Sequence, residues 1–163
     1  MENTRPNELS REKLADGNVL LSVKERFQDD MNEDNLVDLM QVLRDSVLIL
    51  PMQIHMSAAD RERMRMYDEN MPLVVENDVT VVPATADIEG RTYLFIFSQP
   101  EQIPTDYSEL VTLMRAPWLK VYEYFIADES LGGIVLDPFT ENLELTRELV
   151  GAISQMASRL PDE

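Results

Sequence analysis

His55 is the only histidine in the chain, so it is the only imidazole base that a Ser-His-Asp arrangement could use. It follows Pro51-Met52-Gln53-Ile54 at the end of an apolar run, with no Gly-x-Ser-x-Gly elbow, and reads as an ordinary strand-end residue. There is no cysteine, which excludes thiolate catalysis, disulfides and thiolate-ligated zinc or iron–sulfur sites. Asp30, Asn32 and Asp34 fall on the first, third and fifth positions of a calcium loop. The sixth position, which needs glycine, is Asn35, and the twelfth, which needs a bidentate glutamate, is Gln41. The loop therefore reads as a solvated linker and helix start. Gly132-Gly133 lacks the rest of either phosphate-binding fingerprint and reads as conformational freedom at a strand entry. Carboxylate pairs carry little information when 31 acids occur in 163 residues. No catalytic residue, metal ligand or cofactor is assigned.

The elements that position these residues are legible from periodicity and punctuation. Residues 1–16 read as a flexible arm and 17–163 as a single domain. Leu20, Val23 and Phe27 predict a helix over Asn18 to Gln28, and Leu36, Leu39, Met40 and Leu43 a second over Asn35 to Asp45, capped by Asn32 or Asp34. Val47 to Leu50 is a continuous apolar run ended by Pro51, as in a strand covered on both faces. The segment 57–78 is the least regular. It holds Arg61, Arg63 and Arg65, the only basic cluster, which reads as a solvated face, and Met64, Met66 and Met71, which read as loop and core packing. Val79 to Ala86 and Thr92 to Phe97 predict two strands of a hairpin turned at Asp87 to Gly90. Ser98 to Pro104 reads as one helical turn and Leu110 to Met114 as a short strand. Pro117 would occupy the first position of a helix whose apolar face is Trp118, Leu119, Tyr122, Phe125 and Ile126. Leu131 to Leu136 is an apolar strand, Phe139 to Asn142 a turn, and Leu143 to Leu145 the returning strand. Thr146 caps a final helix running to Leu160, with Leu145 and Val150 as a hydrophobic staple. Helices and strands intermix without regular alternation, which predicts an α+β domain with a mixed or mostly antiparallel sheet and packed helices.

Charge narrows the partners. With 14 basic and 31 acidic side chains the net charge is -17, which repels phosphate backbones and anionic membranes. Nucleic acid and membrane are therefore not expected as partners. No apolar run approaches the roughly 20 residues that span a bilayer, and Met1 to Glu8 has no apolar leader core, so a cytoplasmic location is expected.

Four passages resemble the N-terminal domain of the SseB family, named for enhanced serine sensitivity. They are Leu39 to Pro51, Val82-Pro83-Ala84 through Gly90 to Glu101, Pro117 to Phe125, and above all Gly133 to Asn142. The family usually has Asn before the proline of that last passage, where this chain has Asp137; either side chain accepts backbone hydrogen bonds in a turn, and the exchange removes the amide donor. The resemblance implies a bacterial α+β domain with no catalytic set to carry over, and the family name identifies no ligand.

Together these features lead us to expect a non-catalytic protein-interaction or regulatory domain, acting on a protein partner or by self-association. Its candidate contact surface is the turn Asp137, Pro138, Phe139 and Thr140 together with Trp118 and Tyr122; Trp118 also suits burial against the sheet. The alternative is a small-molecule sensor or enzyme linked to amino-acid (serine) metabolism.

Overall fold

A computed structural model describes residues 14–55, 58–59, 62 and 80–160. The Arg61/Arg63/Arg65 cluster, the methionines Met64, Met66 and Met71, and most of the N-terminal arm lie outside the described residues. Leu14, assigned to that arm, is buried in the main core.

Two helices open the described chain. α1 (Asn18–Asp29) buries Leu20 and Val23, and α2 (Glu33–Asp45) buries Leu39, Val42 and Leu43. Asn32 caps α2, its side-chain oxygen accepting from the Asn35 amide at 2.8 Å, and Glu33 and Asp34 sit at the positive end of the helix dipole. β1 (Val47–His55) is the centre of a three-stranded antiparallel sheet, between β2 (Thr80–Pro83) and β5 (Thr112–Pro117). Contrary to the expectation from sequence, Pro51 does not end β1. Ile49 exchanges both backbone bonds with Phe97, and the Pro51 carbonyl accepts from Ala84, so the missing N–H falls where β1 passes from one neighbour to the next.

The second sheet runs β3–β4–β6–β7 in space, with β3 Thr85–Ile88, β4 Arg91–Ile96, β6 Leu131–Leu136 and β7 Leu143–Thr146. Among the described strands only β4 and β6 pair in parallel; the other pairs are antiparallel, in keeping with the α+β reading. The run Val79 to Ala86 is not one strand: it splits at Ala84 between the two sheets. The β3–β4 turn has φ of 51° at Glu89 and 83° at Gly90, the two positive values that a tight hairpin turn matching the strand twist demands. Between β4 and β5 come a 3₁₀ turn (Pro100–Gln102) and the four-residue α3 (Thr105–Ser108).

α4 (Trp118–Ala127) follows β5 directly, with Pro117 as the cap and not the first helical residue. Its buried side is Trp118, Val121 and Phe125, with Tyr122 and Tyr124 half-buried; Leu119 and Ile126 face outward, so the apolar face is rotated from the one expected. α5 (Arg147–Ser154) is capped by Thr146, and Leu145 and Val150 are both buried, as the staple requires. The helix stops at Ser154, short of the expected Leu160. Side chains of α2 capture the backbone beyond it: Arg44 donates to the Met156 carbonyl, Gln41 to the Ala157 carbonyl, and Asp45 accepts from the Arg159 amide. Those bonds replace the helical ones.

Side chains of α1, α2, α4 and α5 meet Leu48, Leu50, Leu94, Ile96, Ile134, Leu136 and Leu145 in the main core. A strand alternates faces, so Tyr93, Phe95 and Phe97 point the other way. With Ile49 and Val135 they form a second, aromatic cluster, flanked by Ile103 and Tyr107. Among the described residues, the helices cover one side of the sheets, and on the other a short segment and a turn cover only part.

Candidate functional site

Two features meet at the C-terminal ends of β4 and β6. The first is a buried polar junction at Asp137. Its backbone lies in the left-handed region with φ 53°, which Asp tolerates better than most residues, and its amide donates to the Ile96 carbonyl. The carboxylate is 0% exposed. Oδ1 accepts from the Ser98 amide at 2.8 Å; Oδ2 accepts from the Ser98 hydroxyl at 2.8 Å and from Lys24 Nζ at 2.9 Å. Lys24, 2% exposed, also donates to the Glu141 carbonyl at 2.8 Å. One lysine thus neutralises the buried acid and ties α1 to the far side of the 137–142 turn. Gln99 reinforces the same junction, donating to the Asp16 carbonyl and the Asn18 side chain at the start of α1. Asp137 is spent on structure: its oxygens already hold three donors.

The second feature is the surface that this junction supports. The turn carries Phe139 out over the aromatic cluster, with ring centroids 4.9 Å from Tyr107, 5.8 Å from Phe95 and 6.2 Å from Phe97. Phe139 is nevertheless 46% exposed. Beside it an open groove of about 720 Å³ crosses the outer face of the second sheet, from Ile88, Glu89 and Arg91 at one end to Asn142 and Glu144 at the other. Tyr93, Phe95 and Val135 form its floor, and Pro138 and Phe139 one wall. The Tyr93 hydroxyl donates to Glu144 Oε2 at 3.1 Å. Gly133 lets the floor close: an added Cβ would stand 2.5 Å from the Leu145 carbonyl oxygen and 3.2 Å from the Tyr93 ring. This glycine serves close approach and not the conformational freedom expected of it, since only Gly17 and Gly90 have positive φ among the described glycines.

The expected contact residues do not form one surface. Pro138 and Phe139 line the groove. Thr140 stands beside them, its hydroxyl donating to the Gln102 side-chain oxygen, and Asp137 lies beneath. Trp118 is fully buried in the helical layer, its indole N–H donating to the Ser154 hydroxyl at 2.8 Å, and Tyr122 packs on the main core. Sequence reasoning did not single out Lys24, Ser98, Tyr93 or Glu144. The aromatic floor carried a usable signal: aromatics at every second position from Tyr93 to Phe97, alternating with aliphatics, mark a strand apolar on both faces.

Burial raises the Tyr107 phenol above the ordinary tyrosine value. The Ser130 hydroxyl and amide hold Asp128 below the usual carboxylate range, but that residue lies in an exposed turn away from the groove. Among the described residues no three acidic or histidine side chains gather closely enough to hold a metal ion, and no helix is long and apolar enough to cross a membrane.

The model of the SseB protein N-terminal domain matches residues 22–152. The chain belongs to that family. No curated protein and no solved structure matches it. The SseB match runs from within α1 into α5, and both Lys24 and Asp137 fall inside it. Asp137 places a buried charge at this turn, and Lys24 supplies the counter-charge.

Proposed function

We propose that this SseB-family chain is a non-catalytic interaction domain, acting in the cytoplasm, whose contact surface is the groove over Tyr93 and Phe95 with Phe139 at its edge. The observation that carries this reading is a half-exposed aromatic ring on a rigidly anchored turn. Phe139 keeps 46% of its surface open while the turn beneath it is locked by the Lys24–Asp137–Ser98 junction. An anchored ring loses little freedom on binding, and aromatic anchors beside pockets are where interfaces concentrate their energy. Trp118 and Tyr122 leave the proposed surface because their contacts lie within the fold.

The test is affinity purification from the native host with mass spectrometry, comparing the wild type with Phe139→Ala and with Leu119→Ala on the opposite layer. A partner lost with the first variant and kept with the second supports the reading. A partner lost only with the second moves the surface to α4. Light scattering over a concentration series separates self-association from a foreign partner. The groove volume of about 720 Å³ also suits a small ligand, which keeps the sensor alternative in view. A thermal-shift screen over amino acids, nucleotides and divalent ions tests it, since a ligand of the native state raises apparent stability.

A further inference from the structure

The charge around the groove is not the diffuse charge of the whole chain. Residues 84–110 and 131–146 build this face, and Arg91 is their only basic residue. Acids occur in every connection between its strands: Glu89 in the β3–β4 turn, Glu101, Asp106 and Glu109 in the segment after β4, and Glu141 and Glu144 around the β6–β7 turn. All six are exposed. Glu89 and Glu144 line the two groove ends, and Asp106 precedes Tyr107, whose ring packs against Phe139. The stem of Arg91 runs past Gly132, with Cβ and Cδ 3.6 and 3.7 Å from where a Cβ at that glycine would lie. That places the one basic residue of these segments at the β3–β4 end, away from Asn142 and Glu144.

We infer that the groove takes a cationic segment of a partner protein: an extended peptide whose lysine or arginine side chain lies along Phe139, its charged head toward Glu144. This rests on the reading of the groove as a protein-binding surface. Three physical terms favour that occupant. An ammonium or guanidinium is drawn to the face of an aromatic ring. The aliphatic stem of the same residue covers apolar floor that a small cation would leave wet. Complementary potential speeds encounter and disfavours acidic segments, which would meet Glu89 at one end and Glu144 at the other. Glu144 is pre-positioned by the Tyr93 hydroxyl, so its carboxylate gives up little freedom on meeting a cation.

The experiment is selection of a displayed library of random twelve-residue peptides against the full chain, followed by titration of the enriched peptides into the wild type and into Glu89→Gln/Glu144→Gln. Both substituted side chains are exposed, and the amide oxygen introduced at position 144 can still accept from Tyr93, so the variant is expected to fold; circular dichroism checks this. Amide shifts of Gly90, Gly133 and Phe139 locate the binding site by nuclear magnetic resonance. The expected result is enrichment of Lys- or Arg-containing peptides that shift those amides. Their binding should weaken about tenfold in the double variant, the product of two partly screened charge pairs, and should weaken again with added salt. Neutral or acidic peptides that bind at the same amides, indifferent to both glutamates, would overturn the cationic occupant and leave the interaction groove standing. Enriched peptides that leave all three amides unmoved, or no enrichment at all, would overturn both.

Discussion

Replacing Lys24 with methionine removes the cation that pairs with Asp137 while keeping a long apolar stem in α1. Both partners are nearly inaccessible, with side chains 3% and 0% exposed. Two bonds disappear, at 2.9 Å to Asp137 and 2.8 Å to the Glu141 carbonyl, and a buried carboxylate is left with Ser98 alone. Breaking a buried pair from one side costs about 3–5 kcal/mol. For a chain of this size each kcal/mol moves the melting temperature by about 2–4 °C, so Lys24→Met should melt roughly 10 °C lower. Asp137→Asn alone should cost a similar amount, because an amide donor then confronts the ammonium. The double variant is the decisive one. It holds no buried charge at this junction. The carboxamide introduced at position 137 can still accept from the Ser98 amide through its oxygen, and its NH₂ group can donate to the Ser98 hydroxyl. The double variant should be at least about 2 kcal/mol more stable than the two single losses summed. Urea unfolding followed by the fluorescence of Trp118, the only tryptophan and fully buried, reads all four proteins. A double variant at the additive value, or a Lys24→Met loss under about 1 kcal/mol, would refute the claim that the pair acts as one unit.

Gly133→Ala should destabilise by about 1–3 kcal/mol through overpacking against the Leu145 carbonyl and Tyr93, while Gly132→Ala, whose added Cβ meets Arg91 at an ordinary 3.6 Å, should cost less; paired urea midpoints check the order. Thr146→Ala removes the acceptor for the Leu149 amide at the start of α5 and should cost about 1 kcal/mol, read as a fall in melting temperature. Tyr107 ionises later in the folded chain than in the unfolded one. Below about pH 10 both states carry the neutral phenol; above it the unfolded chain ionises first, so stability is lost as pH rises through the folded value. In an ultraviolet titration, Tyr107→Phe should delete a phenol that ionises above the ordinary range; deletion of one at or below that range would contradict the assignment.

Short-range chemistry was legible. The caps Asn32 and Thr146, the Leu145–Val150 staple and the strand after Gly133 all depend on neighbours within a few residues, and each is where the sequence places it. The turn expected over Asp87 to Gly90 narrows to Glu89-Gly90, with Asp87 and Ile88 in β3. Choices made over long range were not. Whether 79–86 is one strand or two depends on Pro51, whose carbonyl takes the Ala84 amide. Where the last helix stops depends on Gln41, Arg44 and Asp45 in α2, more than a hundred residues earlier. Which side of α4 is buried depends on what packs against it. The candidate site divides the same way. Asp137 to Thr140 was visible as a punctuated turn, but nothing in the pattern tells which lysine would answer Asp137, and two apolar residues of similar character, Trp118 and Phe139, ended in different layers.

The Lys24–Asp137 link also bears on how the chain is made. It joins positions 113 apart, and β1 likewise waits for β5 before one of its edges is paired. A ribosome that has delivered residues up to about 130 has released α1, β1 and the β3–β4 hairpin, but not the strand that covers the other edge of β4 or the acid that neutralises Lys24. Local helices and the tight hairpin can form during synthesis. The first sheet can close once β5 has emerged, but the second waits for β6 and β7, so the β4 edge stays open until residues 131–146 follow. That makes the open edge a target for chaperones in proportion to how slowly β6 and β7 follow.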